Sequence, residues 1–166
     1  MALEPENTQY LRDLSISFDR LGGLDARTDP LKAREWFEQR LKIARQLVAL
    51  EPGNTWYILD LSVSFERLGG LDAQTAPLKA REWFEQGSEV LQRLLALDPE
   101  NQNAWYGLAC AYARIETPRQ ALDALTRSVD FGNTGADWAA KDDDLASLRG
   151  LPEFEALLER MRTPKS

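Results

Sequence analysis

The sequence contains no histidine, and this absence excludes several kinds of site. Histidine bases, histidine metal ligands and the usual catalytic triads all depend on the imidazole ring. Only one cysteine is present, Cys110, so no internal disulfide can form and a reducing compartment such as the cytoplasm is expected. No apolar run approaches the roughly 18 residues that a membrane-spanning helix requires. The N-terminal segment carries neither the basic start nor the apolar stretch that is typical of a signal peptide.

Positive charge is also scarce. The chain has 20 lysines and arginines against 27 aspartates and glutamates, which gives a net charge of −7. Because binding to nucleic acid or to an anionic membrane relies on basic surface, this balance argues against both partners. The sequence also lacks a phosphate-binding loop, a metal-ligand spacing and a nucleophile–base pair. We therefore expect no cofactor, no metal and no enzymatic activity.

A period of 47 residues is the dominant feature of the chain. Residues 4–50 and 51–97 are identical at 31 of 47 positions without a gap, and prolines 5, 52 and 99 continue the period. Such a period is typical of solenoids, in which each unit buries its apolar face only by stacking on a neighbour. The sequence therefore predicts a single domain over residues 1–166, made of repeat one (4–50), repeat two (51–97), repeat three (98–132) and an irregular C-terminal cap (133–164).

The first two repeats each predict two helices, A and B. In repeat one, helix A is predicted by an apolar stripe of helical spacing, which consists of Tyr10, Leu14, Phe18 and Leu21. Gly22 and Gly23 are expected to end it, since glycine adopts the left-handed conformation that terminates helices. Helix B is expected over residues 30–50, with a proline at its first position. Repeat two predicts the same plan, with glycines at 69 and 70 and helix B over residues 77–97.

The third repeat is shorter, and the tail that follows it breaks the period. Helix A is expected to start at Trp105, and helix B to run from Pro118 to about Phe131. After an irregular stretch around Trp138, a short helix is expected over residues 142–149. The consecutive aspartates 142–144 would cap that helix and stay solvated, because a calcium loop needs spaced ligands. A final amphipathic helix from residue 152 would cap the array.

The third repeat resembles a tetratricopeptide repeat (TPR), whose pattern has aromatic, small and apolar residues at fixed spacing. The matching residues are Trp105, Leu108, Ala109, Tyr112, Ala121 and Leu125. The first two repeats match at Leu14, Ser15, Phe18, Gly22, Ala33 and Phe37, and at Leu61, Ser62, Phe65, Gly69, Ala80 and Phe84. This resemblance implies an all-α fold, a right-handed α-solenoid of antiparallel helix pairs with a C-terminal capping helix. It also implies a concave groove, lined by helix A residues, that holds a peptide or a partner helix.

Helical spacing places one set of residues on the face of helix A opposite its apolar stripe. These candidate groove residues are Arg12, Ile16, Arg20, Trp56, Leu59, Val63, Arg67, Asn103, Tyr106, Cys110 and Arg114. An aromatic and apolar middle edged by arginines suits a protein or peptide partner of acidic or apolar character. The set therefore predicts a protein–protein interaction module that acts as an adaptor or scaffold.

Structural interpretations of the same residues remain open. Trp56 and Leu59 would equally pack against the first repeat, and Cys110 is typical of a small packing residue. Arg20, Arg67 and Arg114 form a ladder at the repeat period. The ladder would bind carboxylates of a partner, or it is inherited by duplication because the end of a helix favours a cation.

The start of the chain also admits two interpretations. Residues 2–5 repeat residues 49–52, which close a helix B. The chain is then either a segment of a longer array or a free-standing protein whose uncovered first repeat offers a surface for self-association. Two other functions fit the composition and size: a small acidic chaperone of the secretion type, and a structural or regulatory repeat segment of a larger multidomain effector protein.

Overall fold

The computed structural model describes residues 7–163, and every regular element in that range is helical. This confirms the all-α class. The chain divides into two compact units, with the boundary between Trp83 and Phe84; unit 1 precedes this boundary and unit 2 follows it. In chain order the elements are α1 (Thr8–Asp25), α2 (Pro30–Leu50), α3 (Thr55–Asp72), α4 (Pro77–Leu97), α5 (Gln102–Arg114), α6 (Pro118–Asp130), α7 (Ala136–Lys141), a 3₁₀ helix (Asp143–Leu148) and α8 (Pro152–Arg162).

Three asparagines, spaced by the repeat period, cap the first helix of each repeat. The side chains of Asn7, Asn54 and Asn101 accept hydrogen bonds from backbone N–H groups in the first turns of α1, α3 and α5. An asparagine in this position satisfies a donor that the helix itself leaves unpaired. Helix α2 begins at Pro30, and the Asp29 side chain caps it by accepting from the backbone of Lys32. The predicted bounds of both long B helices are confirmed.

The expectation that the glycine pairs end the A helices is wrong. Helix α1 continues through Gly22 and Gly23 to Asp25, and α3 continues through the equivalent glycines to Asp72. Gly22 is buried against the next helix, and a Cβ atom added there would lie 2.6 Å from Cδ1 of Phe37. Glycine is therefore present at this position because α1 approaches Phe37 closely.

The core of unit 1 lies between α1, α2 and α3. Leu11, Ile43, Leu47 and Tyr57 form a buried cluster. Two ring pairs at equivalent repeat positions extend it: Phe18 stacks on Trp36 at 5.6 Å between centroids, and Phe65 stacks on Trp83 at 6.0 Å. The tryptophans of the B helices are thus packing residues.

In unit 2, α5 pairs with α6, the 3₁₀ helix lies mainly against α5, and α8 lies against α6 and α7. The predicted final amphipathic helix is confirmed, with Phe154, Leu157, Leu158 and Met161 buried. The expectation of an irregular stretch around Trp138 is wrong, because that residue lies in α7. On one side of this short helix the small residues Ala136 and Ala139 are buried, whereas Trp138 is exposed.

None of the helices in residues 7–163 combines the length and the apolar character that crossing a bilayer would require.

Equivalent hydrogen bonds stabilise the C-terminal ends of α1 and α3. The indole N–H of Trp36 donates to Asp25, and that of Trp83 donates to Asp72, each at 3.0 Å. Asp72 is buried and also accepts two hydrogen bonds from Arg34 of the preceding helix B. Burial by itself raises the pKa of Asp72, but the hydrogen bonds from Arg34 and Trp83 outweigh it and hold the pKa below its ordinary value.

Replacing Asp72 with asparagine should lower the free energy of unfolding at pH 7 by about 1.5 kcal/mol, since Arg34 loses its ionised acceptor. Because the pKa is depressed in the folded chain, this stabilisation is complete above the unfolded pKa of about 4 and is lost as the pH falls through the folded value. Urea titrations at several pH values should therefore show the two proteins converging in acid. Asp25→Asn, the equivalent change at a half-buried site, should have a smaller effect. A constant difference down to about pH 2 would contradict this assignment.

Candidate functional site

Two ion pairs connect α1 and α3 in unit 1. The Arg12 Nε atom lies 3.2 Å from an Asp60 carboxylate oxygen, and Arg67 donates to Asp19 at 2.9 Å. Each pair joins residues 48 positions apart. Since the repeat period is 47 residues, each side chain reaches one residue beyond its own equivalent in the other repeat. The two ion pairs therefore fix which side chains of α1 lie next to which side chains of α3.

An exposed apolar patch borders these ion pairs. We call it the Trp56 surface; it consists of Arg12, Ile16, Trp56, Leu59 and Val63. Trp56 keeps 60% of its surface exposed, although the Arg12 guanidinium lies over its ring at 6.0 Å from the centroid. Ile16 is also exposed, and Leu59 and Val63 are half-buried. A tryptophan exposed to this extent contributes little to the core and is available for contact with another molecule.

A buried arginine lies beneath this surface. Arg40 of α2 donates to the backbone oxygen of Asp60 at 2.8 Å and to the hydroxyl of Ser64, and its Nε atom lies 3.3 Å from Asp19. Burial lowers the pKa of Arg40, and the charges of Asp19 and Asp60 act in the opposite direction. Arginine stays protonated because its unperturbed pKa is so high. Arg40 therefore links α2 to α3 and to the Asp19–Arg67 pair.

Sequence reasoning missed this cluster, although the repeats contain a signal for it. One period after Arg40, Asp60 and Ser64 come Gly87, Gly107 and Ala111. In unit 2, Gly107 lies against Leu91, whose Cδ1 atom would be 3.1 Å from an added Cβ. Three polar residues at the junction of repeats one and two thus correspond to three small ones at the junction of repeats two and three. A joint change of this kind indicates that the three positions pack together.

Three of the four candidate residues of repeat three lie against the C-terminal segment of unit 2: Tyr106, Cys110 and Arg114. Tyr106 donates to Asp142 at 2.7 Å, Arg114 pairs with Asp144 at 3.5 Å, and Cys110 is buried. Burial raises the pKa of Tyr106, and the nearby Cys110 and Asp142 add to the shift. Two fully buried leucines, at 145 and 148, anchor the 3₁₀ helix beside them. Among the candidates in this repeat, Asn103 is exposed.

The arginine ladder is divided between different surroundings. Arg20 is exposed on α1. Arg67 binds Asp19, whereas Arg114 binds Asp144 and lies over the ring of Phe84 at 5.0 Å. Two of the three arginines therefore already bind carboxylates of their own unit.

Cys110, Asp142 and Asp144 bring three possible metal-ligand atoms within 4.8 Å of one another. The group does not fit a metal centre well, because its oxygens have other partners. Asp142 accepts from Tyr106 and from the backbone of Asp144, and Asp144 pairs with Arg114. Asp142 therefore caps the 3₁₀ helix, as predicted. The expectation that the aspartates stay solvated holds for Asp143 and is wrong for Asp142 and Asp144, which are half-buried.

A cavity of about 310 Å³ lies at the start of α7. It is lined by Thr134, Gly135, Ala136, Asp137, Trp138 and Arg162. Its lining includes one aromatic ring, that of Trp138, and two side chains of opposite charge, Asp137 and Arg162. These features do not identify a class of ligand.

Comparison with solved structures shows a helical-repeat fold. The chain matches the structure "MamA RS-1 ArsTM double mutant" with a TM-score of 0.52 and 14% sequence identity, over 99% of each chain. It also matches "MamA 41-end from Desulfovibrio magneticus RS-1" with a TM-score of 0.35 and 16% identity, over 93% of this chain and 98% of the other. No family model and no curated protein matches the sequence. MamA is a TPR-repeat protein, and the first match confirms the all-α, TPR-like solenoid fold.

Proposed function

We propose that the chain is a protein-interaction module and that unit 1 binds a peptide or a partner helix at the Trp56 surface. The observation that carries this proposal is the 60% exposure of Trp56. Beside it are three further apolar residues, the exposed Ile16 and the half-buried Leu59 and Val63, on two helices that ion pairs connect. Tryptophan and arginine are enriched among the few residues that carry most of the binding energy of protein interfaces. The ion pairs and Arg40 hold these side chains in place before a partner arrives, which reduces the entropy that binding loses.

The charges around the surface favour a partner that is apolar with an acidic flank. Ile16, Leu59 and Val63 supply apolar contacts, while the exposed Arg20 supplies a cation one helical turn beyond Ile16. An amphipathic helix or an extended peptide that carries an aspartate or glutamate beside apolar anchors meets both requirements. Binding of this kind involves no chemical step, which agrees with the expectation of a non-enzymatic adaptor or scaffold.

The proposed site centres on unit 1 because of the surroundings of the third-repeat residues. Cys110 is buried, and Tyr106 and Arg114 already bind Asp142 and Asp144. Asn103 is exposed on α5 of unit 2 and remains a separate prediction.

Selection from a displayed random-peptide library against the purified chain tests this proposal. Replacing Trp56 with alanine should lower the affinity of the chain for the selected peptides by about 30-fold, as expected for a central aromatic anchor. The matched control is Leu78→Ser, which removes an even more exposed apolar side chain of unit 1 away from the surface and should leave affinity unchanged. Peptides that bind the Trp56→Ala variant as tightly as the original chain would place the site elsewhere. Failure to select any peptide would count against a peptide-binding module.

A further inference from the structure

Helix α1 carries the side chains that α3 uses to pack against its preceding repeat. In α3, Tyr57 and Leu68 are 9% and 0% exposed, and Tyr57 belongs to the buried cluster that α3 forms with α1 and α2. The identical residues of α1, Tyr10 and Leu21, are 44% and 39% exposed. Large apolar side chains gain no stability from being exposed to solvent. Helix α1 nevertheless has the same apolar residues as α3 at these positions, and residues 7–163 leave them exposed.

The polar groups of this face are duplicated as well. Asp60 and Ser64, which accept from Arg40, correspond to Asp13 and Ser17. The internal geometry is the same, because in both helices the serine hydroxyl donates to the aspartate backbone oxygen at 2.9 Å. Asp13 and Ser17 are exposed. Helix α1 thus displays the acceptors for a buried arginine in the arrangement that α3 shows when the arginine is present.

A cation of α1 completes the correspondence. Arg67 of α3 binds Asp19 of the preceding A helix. Its equivalent, Arg20, is exposed at the edge of the same face. A partner that resembled the preceding repeat would therefore supply one arginine to Asp13 and Ser17 and one carboxylate to Arg20.

We propose that this face of α1, formed by the exposed residues Tyr10, Asp13, Ser17 and Leu21, docks a helix of a partner protein that has the chemistry of α2. Such a helix presents small and aliphatic residues like Ala44 and Leu47, with an arginine in the position of Arg40. The charges decide the orientation, because the arginine must reach the acceptors at positions 13 and 17. This docking face differs from the Trp56 surface and does not depend on the proposed function.

A second copy of the chain is a poorer occupant. In the described part of the chain, the arginine position of the B helices is filled by Arg40 in α2, Gly87 in α4 and Ser128 in α6. Arg40 is buried within its own unit, and Ser128 is buried and donates to the backbone of Gln102. A second copy therefore has no accessible helix of the required chemistry among residues 7–163.

The test uses the full chain and a lactam-constrained helical peptide that copies residues 34–51, with binding followed by fluorescence anisotropy. The constraint keeps the probe helical, which an isolated segment of this length would not be. We expect saturable binding below about 1 mM and a loss of about tenfold or more for the double variant Tyr10→Ser/Leu21→Ser. A peptide with methionine in place of Arg40 should bind about tenfold more weakly than the original peptide.

Leu31→Ser provides the matched control, since it removes an exposed apolar residue of unit 1 that belongs neither to the docking face nor to the Trp56 surface. Unchanged peptide affinity in this variant supports docking on the face of Tyr10 and Leu21, whereas a loss there with no effect of Tyr10→Ser/Leu21→Ser would overturn the proposal. Absence of binding up to about 1 mM would also overturn it. Light scattering adds one outcome: a dimer that Tyr10→Ser/Leu21→Ser dissociates would show that the occupant is a second copy.

Discussion

Replacing Arg40 with methionine should lower the free energy of unfolding by about 3 kcal/mol, because it breaks a buried charged network from one side. Methionine fills a similar volume, so the loss reports the polar contacts rather than a cavity. The backbone oxygen of Asp60 loses the charged donor and keeps the Ser64 hydroxyl, the Ser64 oxygen loses its donor, and Asp19 keeps Arg67 as its partner. Urea unfolding followed by circular dichroism measures the change.

Two further variants identify the source of this loss. Lys42→Met changes an exposed residue of the same helix and should alter the free energy of unfolding by less than about 0.5 kcal/mol. In a double-mutant cycle with Asp19→Asn, Arg40→Met should show a coupling energy of at least about 1 kcal/mol. If Arg40→Met and Lys42→Met cost the same, the buried network would have no stabilising role.

Adding one methyl group at Gly22 should lower the free energy of unfolding by about 2 kcal/mol, whereas the same change at Gly23 should raise it by up to about 1 kcal/mol. Both residues lie inside α1, where alanine is favoured over glycine. At Gly22 the new Cβ atom would overlap the buried ring of Phe37, and at Gly23 no atom lies within 4 Å of it. The overlap outweighs the gain in helix propensity because Phe37 is only 3% exposed and interiors are close-packed.

Thermal unfolding of the Gly22→Ala and Gly23→Ala variants provides a direct comparison, since propensity is the same for both. A third variant, Gly70→Ala, has open space around its Cβ position in α3 and should behave like Gly23→Ala. Equal stabilisation by all three substitutions would show that Phe37 does not restrict position 22. Destabilisation by all three would instead indicate that α1 and α3 require glycine for their backbone conformation.

The sequence was sufficient to predict the helices with strong local signals. Prolines at positions 30 and 118 predicted helix starts that the structure confirms, with a side-chain cap from Asp29 at the first and none from Thr117 at the second. The glycine pair at 22–23 misled, because a glycine that ends a helix and one that admits a neighbouring ring have the same local sequence. Only the position of Phe37 on the next helix distinguishes them.

The candidate site was predicted less completely for a similar reason. Helical spacing alone placed Trp56 and Ile16 on one exposed face, and the structure shows both exposed. Helical spacing also predicted Cys110 and Tyr106 to be accessible, because spacing within one helix does not show that the segment at Asp142 covers them. Contacts between residues distant in the sequence decide which members of a periodic set stay accessible.

The three polar residues that join α2 to α3 all fall within the contiguous segment 40–64, and their small counterparts fall within 87–111. Each segment directly follows one of two identical blocks, residues 30–39 and 77–86. Unequal recombination within these blocks would therefore insert or delete a whole segment, so that an arginine-bearing half-helix always travels with its own acceptors. Such an exchange would change the number of repeats while keeping the three residues of each junction matched.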